Sequence, residues 1–213
     1  MRTTRIAVLF AVTALILAAA VTVQAQRTGG GRRGGMTAVT LAQIPAAALE
    51  QPLQLTKEQM EKITAIQTKL REELRGLAGG GGDRQYTMER RQQLNTKATQ
   101  DIEAVLTDAQ KQKVPDLIKQ MQVYRNCGIP LEVVAALKLT PDQVTKLEAI
   151  SKEYQTKLEG MQTGGGGFDG FRELREATQQ KVQAVLTADQ KAIVEKWQRD
   201  NPQPGRGAGG RGR

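Results

Sequence analysis

Histidine is absent from this sequence of 213 residues, and cysteine occurs once. Histidine is the commonest general base and metal ligand of proteins, and a single thiolate cannot complete a cysteine-type zinc site within one chain. The carboxylates alternate with Lys and Arg as on a solvated helix face, so no catalytic pair stands out. The glycine runs at 79–82 and 164–167 lack the Lys-Ser/Thr ending of a phosphate loop. We therefore predict a protein that is not an enzyme and that uses no cofactor or metal.

Disulfides and aromatic residues are also scarce. Cys127 has no partner for an internal disulfide, so it is either a buried thiol or a link to a second chain. Aromatic residues make up 3% of the chain. A core built mainly from Leu, Ile, Val and Met favours slender packed helices over a thick globular domain.

The first 25 residues have the pattern of a secretory signal peptide. Arg2 and Arg5 precede a long apolar stretch, and small residues surround the predicted cleavage site after Ala25. The alternative is a retained membrane anchor, because the apolar stretch is long enough to cross a bilayer. No cysteine follows that would carry a lipid anchor. We expect an exported protein, periplasmic or otherwise outside the cytoplasm.

The net charge of +9 belongs to the ends of the chain. Eight of the 31 Lys and Arg residues lie in 1–33 and 206–213, which leaves 23 basic against 22 acidic residues in the body. The Gly/Arg segments 26–36 and 200–213 are predicted to be disordered. They are either solubilising linkers or contacts for an anionic lipid, wall polymer or acidic protein. Export argues against nucleic acid as the partner.

Apolar residues recur with helical spacing. One stripe comprises Met60, Ile63, Ile66, Leu70, Leu74 and Leu77, and a second comprises Leu94, Ala98, Ile102, Val105 and Leu106. Steps of three and four residues are typical of one face of an amphipathic helix. A glycine run separates the two stripes. The segment is therefore predicted to be an αα-hairpin.

The pattern occurs twice. A shift of 84 residues places Thr56 on Thr140 and Gln59 on Gln143, and after the glycine runs a shift of 80 places Leu94 on Leu174. Such self-similarity indicates a tandem duplication. We predict repeat one at 37–122 and repeat two at 123–199. The predicted fold is all-α, with two αα-hairpin repeats forming an elongated helical bundle or cradle.

The string Leu-Thr-x-x-Gln occurs four times. Its copies are Leu55, Thr56 and Gln59; Leu106, Thr107 and Gln110; Leu139, Thr140 and Gln143; and Leu186, Thr187 and Gln190. A Thr at a helix N-cap and a Gln three residues later form a capping box. The first and third copies are predicted to start helices, whereas the second and fourth are predicted to restart or bend a helix near its end. We interpret all four as helix caps and not as catalytic groups.

The strings "LQLTKEQMEKI", "LKLTPDQVTKL" and "VLTADQKAIVEKW", behind an export signal, resemble the LTxxQ-motif family of periplasmic proteins of the Spy/CpxP type. The resemblance implies an α-helical cradle that acts as an ATP-independent envelope-stress chaperone and forms a homodimer. Family members usually carry two copies of the motif, so a chain with four either imitates the dimer or dimerises itself. Relatives that respond to metal use His-rich segments, which are absent here.

On this reading, unfolded or stressed envelope proteins bind to a concave face that mixes apolar and basic residues. Met60, Met88, Met121 and Met161 are candidate client contacts, because methionine adapts to varied surfaces. Their helical spacing is more often typical of core residues. The alternatives are a structural or regulatory module that docks one envelope partner, and a polyanion or surface binder that acts through the Arg/Gly tails.

Overall fold

The computed structural model describes residues 38–79, 84–164 and 168–202. Within these ranges the chain contains eight α-helices and no strand, which confirms the predicted all-α class. The helices are α1 Ala46–Leu53, α2 Lys57–Gly79, α3 Arg84–Val105, α4 Asp108–Asn126, α5 Val134–Leu137, α6 Pro141–Gly164, α7 Phe168–Val185 and α8 Ala188–Asp200. The predicted signal peptide, the Gly/Arg segment 26–36 and residues 203–213 lie outside the described residues.

Two helical hairpins carry most of the length. α2 packs on α3 in hairpin one, and α6 packs on α7 in hairpin two. In hairpin one, burial is concentrated toward the start of α2 and the end of α3, where Ile63 and Ile102 are fully enclosed. Toward the glycine run, Leu74 and Leu77 are only half-buried. The outer end of hairpin one therefore has a thin apolar seam.

The shorter helices form a base for the hairpins. α1 packs on α2, α4 and α5, α4 packs on α6, and α8 packs on α5 and the 3-10 turn Leu131–Val133. The predicted boundary between residues 122 and 123 falls inside α4. This helix continues to Asn126 because Val114, Leu117, Met121 and Tyr124 form one buried stripe along it. α4 therefore belongs to the cores of both predicted repeats.

A chain of polar contacts connects the first described residues to α4 and α6. The Val39 N–H donates to Gln122 Oε1 at 2.9 Å, and Gln122 Nε2 donates to Asn126 Oδ1 at 2.8 Å. Asn126 Nδ2 then donates to Ser151 Oγ at 2.9 Å. Asn126 and Ser151 are buried, so these bonds satisfy polar groups that would otherwise be costly at this packing surface. They also fix the register of α4 against α6.

Cys127 is a buried thiol at the end of α4. Its Sγ donates to the Leu147 carbonyl at 3.4 Å. Burial raises the pKa of the Cys127 thiol to about 12. Because the thiolate is the reactive form, this cysteine is protected both by enclosure and by protonation.

Cys127 should therefore resist Ellman's reagent in the folded protein and react fully once the protein is unfolded in guanidinium. The raised pKa also has a thermodynamic consequence. The folded state retains a proton that the unfolded thiol releases at about pH 8.5, so this contribution to stability is lost as the pH rises toward about 12. Rapid stoichiometric labelling of the native protein would contradict the buried position. A Cys127→Ser variant is the blank for the labelling reaction.

Candidate functional site

The four Thr–Gln pairs of the motif all form two capping hydrogen bonds. In the first, Gln59 N–H donates to Thr56 Oγ1 at 3.2 Å, and Thr56 N–H donates to Gln59 Oε1 at 3.0 Å. The other three copies repeat these bonds at 3.3 Å and at 2.9–3.0 Å. New helices, α4 and α8, begin directly after Thr107 and Thr187.

The four glutamines also form two reciprocal pairs. Gln59 Nε2 donates to Gln110 Oε1 at 2.9 Å, and Gln110 Nε2 donates back to Gln59 Oε1 at 3.1 Å. Gln143 and Gln190 make the same exchange at 2.7 and 3.1 Å. We call these two pairs the glutamine junctions. Each junction joins the start of one long hairpin helix to the start of the shorter helix that follows the hairpin.

Each junction also binds the ends of two more helices. Gln59 Nε2 donates to the Val105 carbonyl at the end of α3, and Gln110 Nε2 donates to the Leu53 carbonyl at the end of α1. In the second junction the corresponding acceptors are Val185 and Leu137, each at 2.9 Å. The last carbonyls of a helix have no partner within that helix. The junctions therefore satisfy helix ends that would otherwise be buried without a hydrogen bond.

The chemistry of the junction explains why the motif contains Gln. A side-chain amide has two N–H donors and an oxygen that accepts two hydrogen bonds, and every junction glutamine uses all four. Glutamate could serve the local capping box equally well, but it could not donate to a carbonyl. This pairing of glutamines was not predicted from the sequence. Its signal was that all four copies carry Gln and none carries Glu.

The same backbone turn precedes the first and third motif copies. Gln54 has φ 51° and Lys138 has φ 45°, so both adopt the left-handed conformation at the end of a helix. The preceding residues, Leu53 and Leu137, are fully buried and direct their carbonyls to the junctions. These paired positions are 84 residues apart, as the shift between the repeats requires.

The candidate client-contact methionines occupy different environments. Met121 is 2% exposed on the inner face of α4 and is a core residue in the folded protein. Met60 is half-buried against the core, and Met161 is half-buried next to Gly170 of α7. Met88 is 66% exposed on α3 and is the one methionine of the four that is open to a partner.

Further exposed apolar side chains lie near the outer ends of the hairpins. Tyr86 on α3 is 62% exposed and Phe171 on α7 is 40% exposed. Arg90 and Arg91 follow Tyr86 and Met88 by four and three residues, so they are their neighbours along the helix surface. Tyr86 with Arg90 and Met88 with Arg91 are two exposed apolar–basic pairs on α3, and Phe171 lies at the outer end of the other hairpin. We use the name hairpin-end surface for this set of exposed side chains at the two outer ends. A partner would meet apolar groups bordered by charge.

The two outer ends differ in charge. The described residues of hairpin one within 69–93 include six basic residues and three acidic ones: Lys69, Arg71, Arg75, Arg84, Arg90 and Arg91 against Glu72, Glu73 and Glu89. Those of hairpin two within 153–177 include three basic residues and five acidic ones: Lys157, Arg172 and Arg175 against Glu153, Glu159, Asp169, Glu173 and Glu176. Hairpin one is therefore basic at its outer end, and hairpin two is acidic.

Glu153 connects the two helices of hairpin two. Its carboxylate accepts from Lys181 Nζ of α7 at 2.6 Å and forms an ion pair with Lys157 of its own helix at 2.9 Å. Hydrogen bonds from Lys181 and then Lys157 lower the pKa of Glu153 to about 2. The three side chains are each 42% exposed or more, so solvent screens much of this interaction.

Two further features are absent from the described residues. They contain no group of three or more Cys, Asp or Glu side chains placed to hold a metal ion. No helix in the described ranges combines the length and apolarity needed to span a membrane. Comparisons with protein-family models, curated proteins and solved structures found no match. The resemblance to the LTxxQ-motif family thus rests on the motif strings alone.

The glutamine junctions can be tested with a single-atom change. Gln190→Glu should lower the free energy of unfolding by about 2–4 kcal/mol, because the carbonyl of Leu137 and Oε1 of Gln143 lose their donors and face a carboxylate instead. Gln43→Glu is the matched control. Gln43 is exposed, and its Oε1 accepts from the Thr40 N–H at 3.4 Å. Gln43→Glu should lower the free energy of unfolding by less than about 0.5 kcal/mol.

Urea unfolding, followed by circular dichroism, gives the free energy of unfolding of both variants. The new carboxyl of Gln190→Glu faces acceptors, so its folded-state pKa should lie above the ordinary value of about 4.3. The loss in free energy of unfolding should consequently become smaller as the pH falls toward about 4, because the protonated carboxyl can donate one hydrogen bond. Equal destabilisation by the two variants would contradict the special role of the junction.

The titration of Glu153 provides a further test. Carbon-detected NMR should place its midpoint near 2, and Lys181→Met should raise it toward that of an ordinary glutamate. High salt should also raise it, because the charges are exposed. Since the folded-state pKa is lowered, the contribution of this contact to stability is present above the unfolded value and lost as the pH falls toward 2. A midpoint unaffected by Lys181→Met would show that the contact between the helices is absent in solution.

Proposed function

We propose that this is an exported, ATP-independent chaperone-like protein that binds unfolded or stressed envelope proteins through an amphipathic helical surface. The observation that carries the proposal is the hairpin-end surface. There Tyr86, Met88 and Phe171 are exposed beside charged side chains, at the ends of helices whose apolar seam is only partly covered. Export and the LTxxQ-type resemblance support the proposal from the sequence.

The physical basis of binding would be burial of client apolar groups on this surface. Exposed apolar patches bordered by polar residues are typical of interaction sites. Flexible side chains such as that of Met88 tolerate different client sequences, which suits a protein without one fixed partner. The basic outer end of hairpin one would attract acidic client segments, and the acidic end of hairpin two would attract basic ones.

Aggregation of a chemically unfolded client, followed by light scattering without nucleotide, tests this function. The chain from residue 26 should suppress aggregation near equimolar ratios, and so should a version that lacks both Gly/Arg tails. Combined replacement of Tyr86, Met88 and Phe171 by Ser should weaken suppression several-fold without lowering the melting temperature, because these side chains are exposed. The matched control replaces the exposed Gln92, Gln93 and Gln155 by Ser.

The results also separate the alternatives. Suppression that requires the tails would assign the function to a polyanion or surface binder. Lack of suppression by any version would overturn the chaperone proposal and favour a structural or regulatory module with a dedicated partner. Equal activity of the two triple variants would mean that the hairpin-end surface is not where clients bind.

A further inference from the structure

A groove of about 450 Å³ lies between α1, α4 and α6, away from the residues of the hairpin-end surface. Its apolar lining comes from Pro52 on α1 and from Leu117 and Val123 on α4. Charged residues line the rest, with Lys113, Asp116 and Lys119 on α4 and Glu148 on α6. The volume is in the range of pockets that bind small molecules or single side chains with their backbone.

Repeat two carries more apolar side chains at the corresponding sequence positions. The shift of 80 residues places Lys113 on Ile193 and Leu117 on Trp197 of α8. Ile193 and Trp197 are both half-buried against the core. Where repeat two carries an indole and a branched aliphatic group, repeat one carries a smaller leucine and an exposed lysine. Leu117 on the groove wall thus stands at a sequence position that is aromatic in repeat two.

The charges on the two walls of the groove indicate which residues would flank an aromatic side chain that binds there. Asp116 and Lys119 form an ion pair with each other at 2.9 Å. Lys113 and Glu148 are not in an ion pair with any other described residue. The α4 wall thus presents an uncompensated ammonium group, and the α6 wall presents an uncompensated carboxylate. A complementary occupant carries an acidic group on one side and a basic group on the other.

We propose that this groove is a docking site for a client segment in which a large aromatic residue stands between an acidic and a basic residue. The aromatic side chain packs on Leu117, Val123 and Pro52, while Lys113 pairs with the acidic neighbour and Glu148 with the basic one. The inference rests on the proposed function, since the occupant is part of a client polypeptide. It adds to the hairpin-end surface a second client site that has a sequence preference.

Fluorescence anisotropy with short labelled peptides, added to the chain without its predicted signal peptide, tests the site. A peptide with a central Asp-Trp-Lys should bind about tenfold more tightly than one with Asp-Ala-Lys, because an aromatic anchor provides most of the buried area. Lys113→Glu should lower the affinity for the Asp-Trp-Lys peptide by about fivefold, as expected for reversing one exposed charge pair. It should in turn favour Lys-Trp-Lys. Lys196→Glu, on the exposed surface of α8, is the matched control and should change nothing.

Lys113→Trp supplies a second variant, which fills the groove from its rim at an exposed position. It should abolish discrimination between the tryptophan and alanine peptides while the melting temperature is unchanged. The proposal is overturned if none of the peptides binds, if the two peptides bind equally to the unmodified chain, or if both Lys113 variants bind like the control. Light scattering separates the two hypotheses. Aggregation suppression without peptide discrimination removes the groove site alone, whereas discrimination without suppression removes the chaperone function alone.

Discussion

The glutamine junctions are the constraint on which the rest of the structure depends. At the first junction, the amides of Gln59 and Gln110 bring together the starts of α2 and α4 and the ends of α1 and α3. Helix ends expose polar backbone groups that must find partners when they converge in a protein interior. Two side-chain amides solve this problem at each junction with no unsatisfied donor or acceptor. The hairpins therefore project from a base in which the four helix ends that meet at each junction are fixed.

Stability should consequently fall along each hairpin with distance from its junction. Near the base, Ile63, Ile102 and Leu147 are fully buried, whereas Leu74 and Leu77 farther out are half-covered. Regions with few buried apolar contacts open at a lower free energy than the global unfolding reaction. A loose outer end on a fixed base can adapt to different partners without unfolding the fold. The amphipathic surface of the proposed function lies where this adaptation costs least.

Local patterns predicted much of this architecture, and non-local contacts account for what they missed. The apolar stripe from Met60 to Leu77 and the glycine runs indicated α2 and the hairpins, because both signals depend on neighbouring residues. The pairing of Gln59 with Gln110 spans 51 residues, and the local capping box does not require it. The sequence pattern distinguishes a buried methionine from an exposed one in two of the four cases. Met121 continues the stripe of Val114 and Leu117, whereas Met88, six residues before Leu94, lies about 120° around the helix from Leu94, the first residue of the stripe that includes Ala98 and Ile102.

The two hairpins and their junctions agree where the base requires it and differ where the surface is open. Both have the same capping bonds, the same amide exchange and the same left-handed residue before the long hairpin helix. They differ in the charge of their outer ends and in the replacement of Leu117 by Trp197 at the groove position. Substitutions at the junction would leave buried polar groups without partners, which is costly. Substitutions at the outer ends and the groove leave the junction bonds intact, so these surfaces can acquire different binding preferences on an unchanged scaffold.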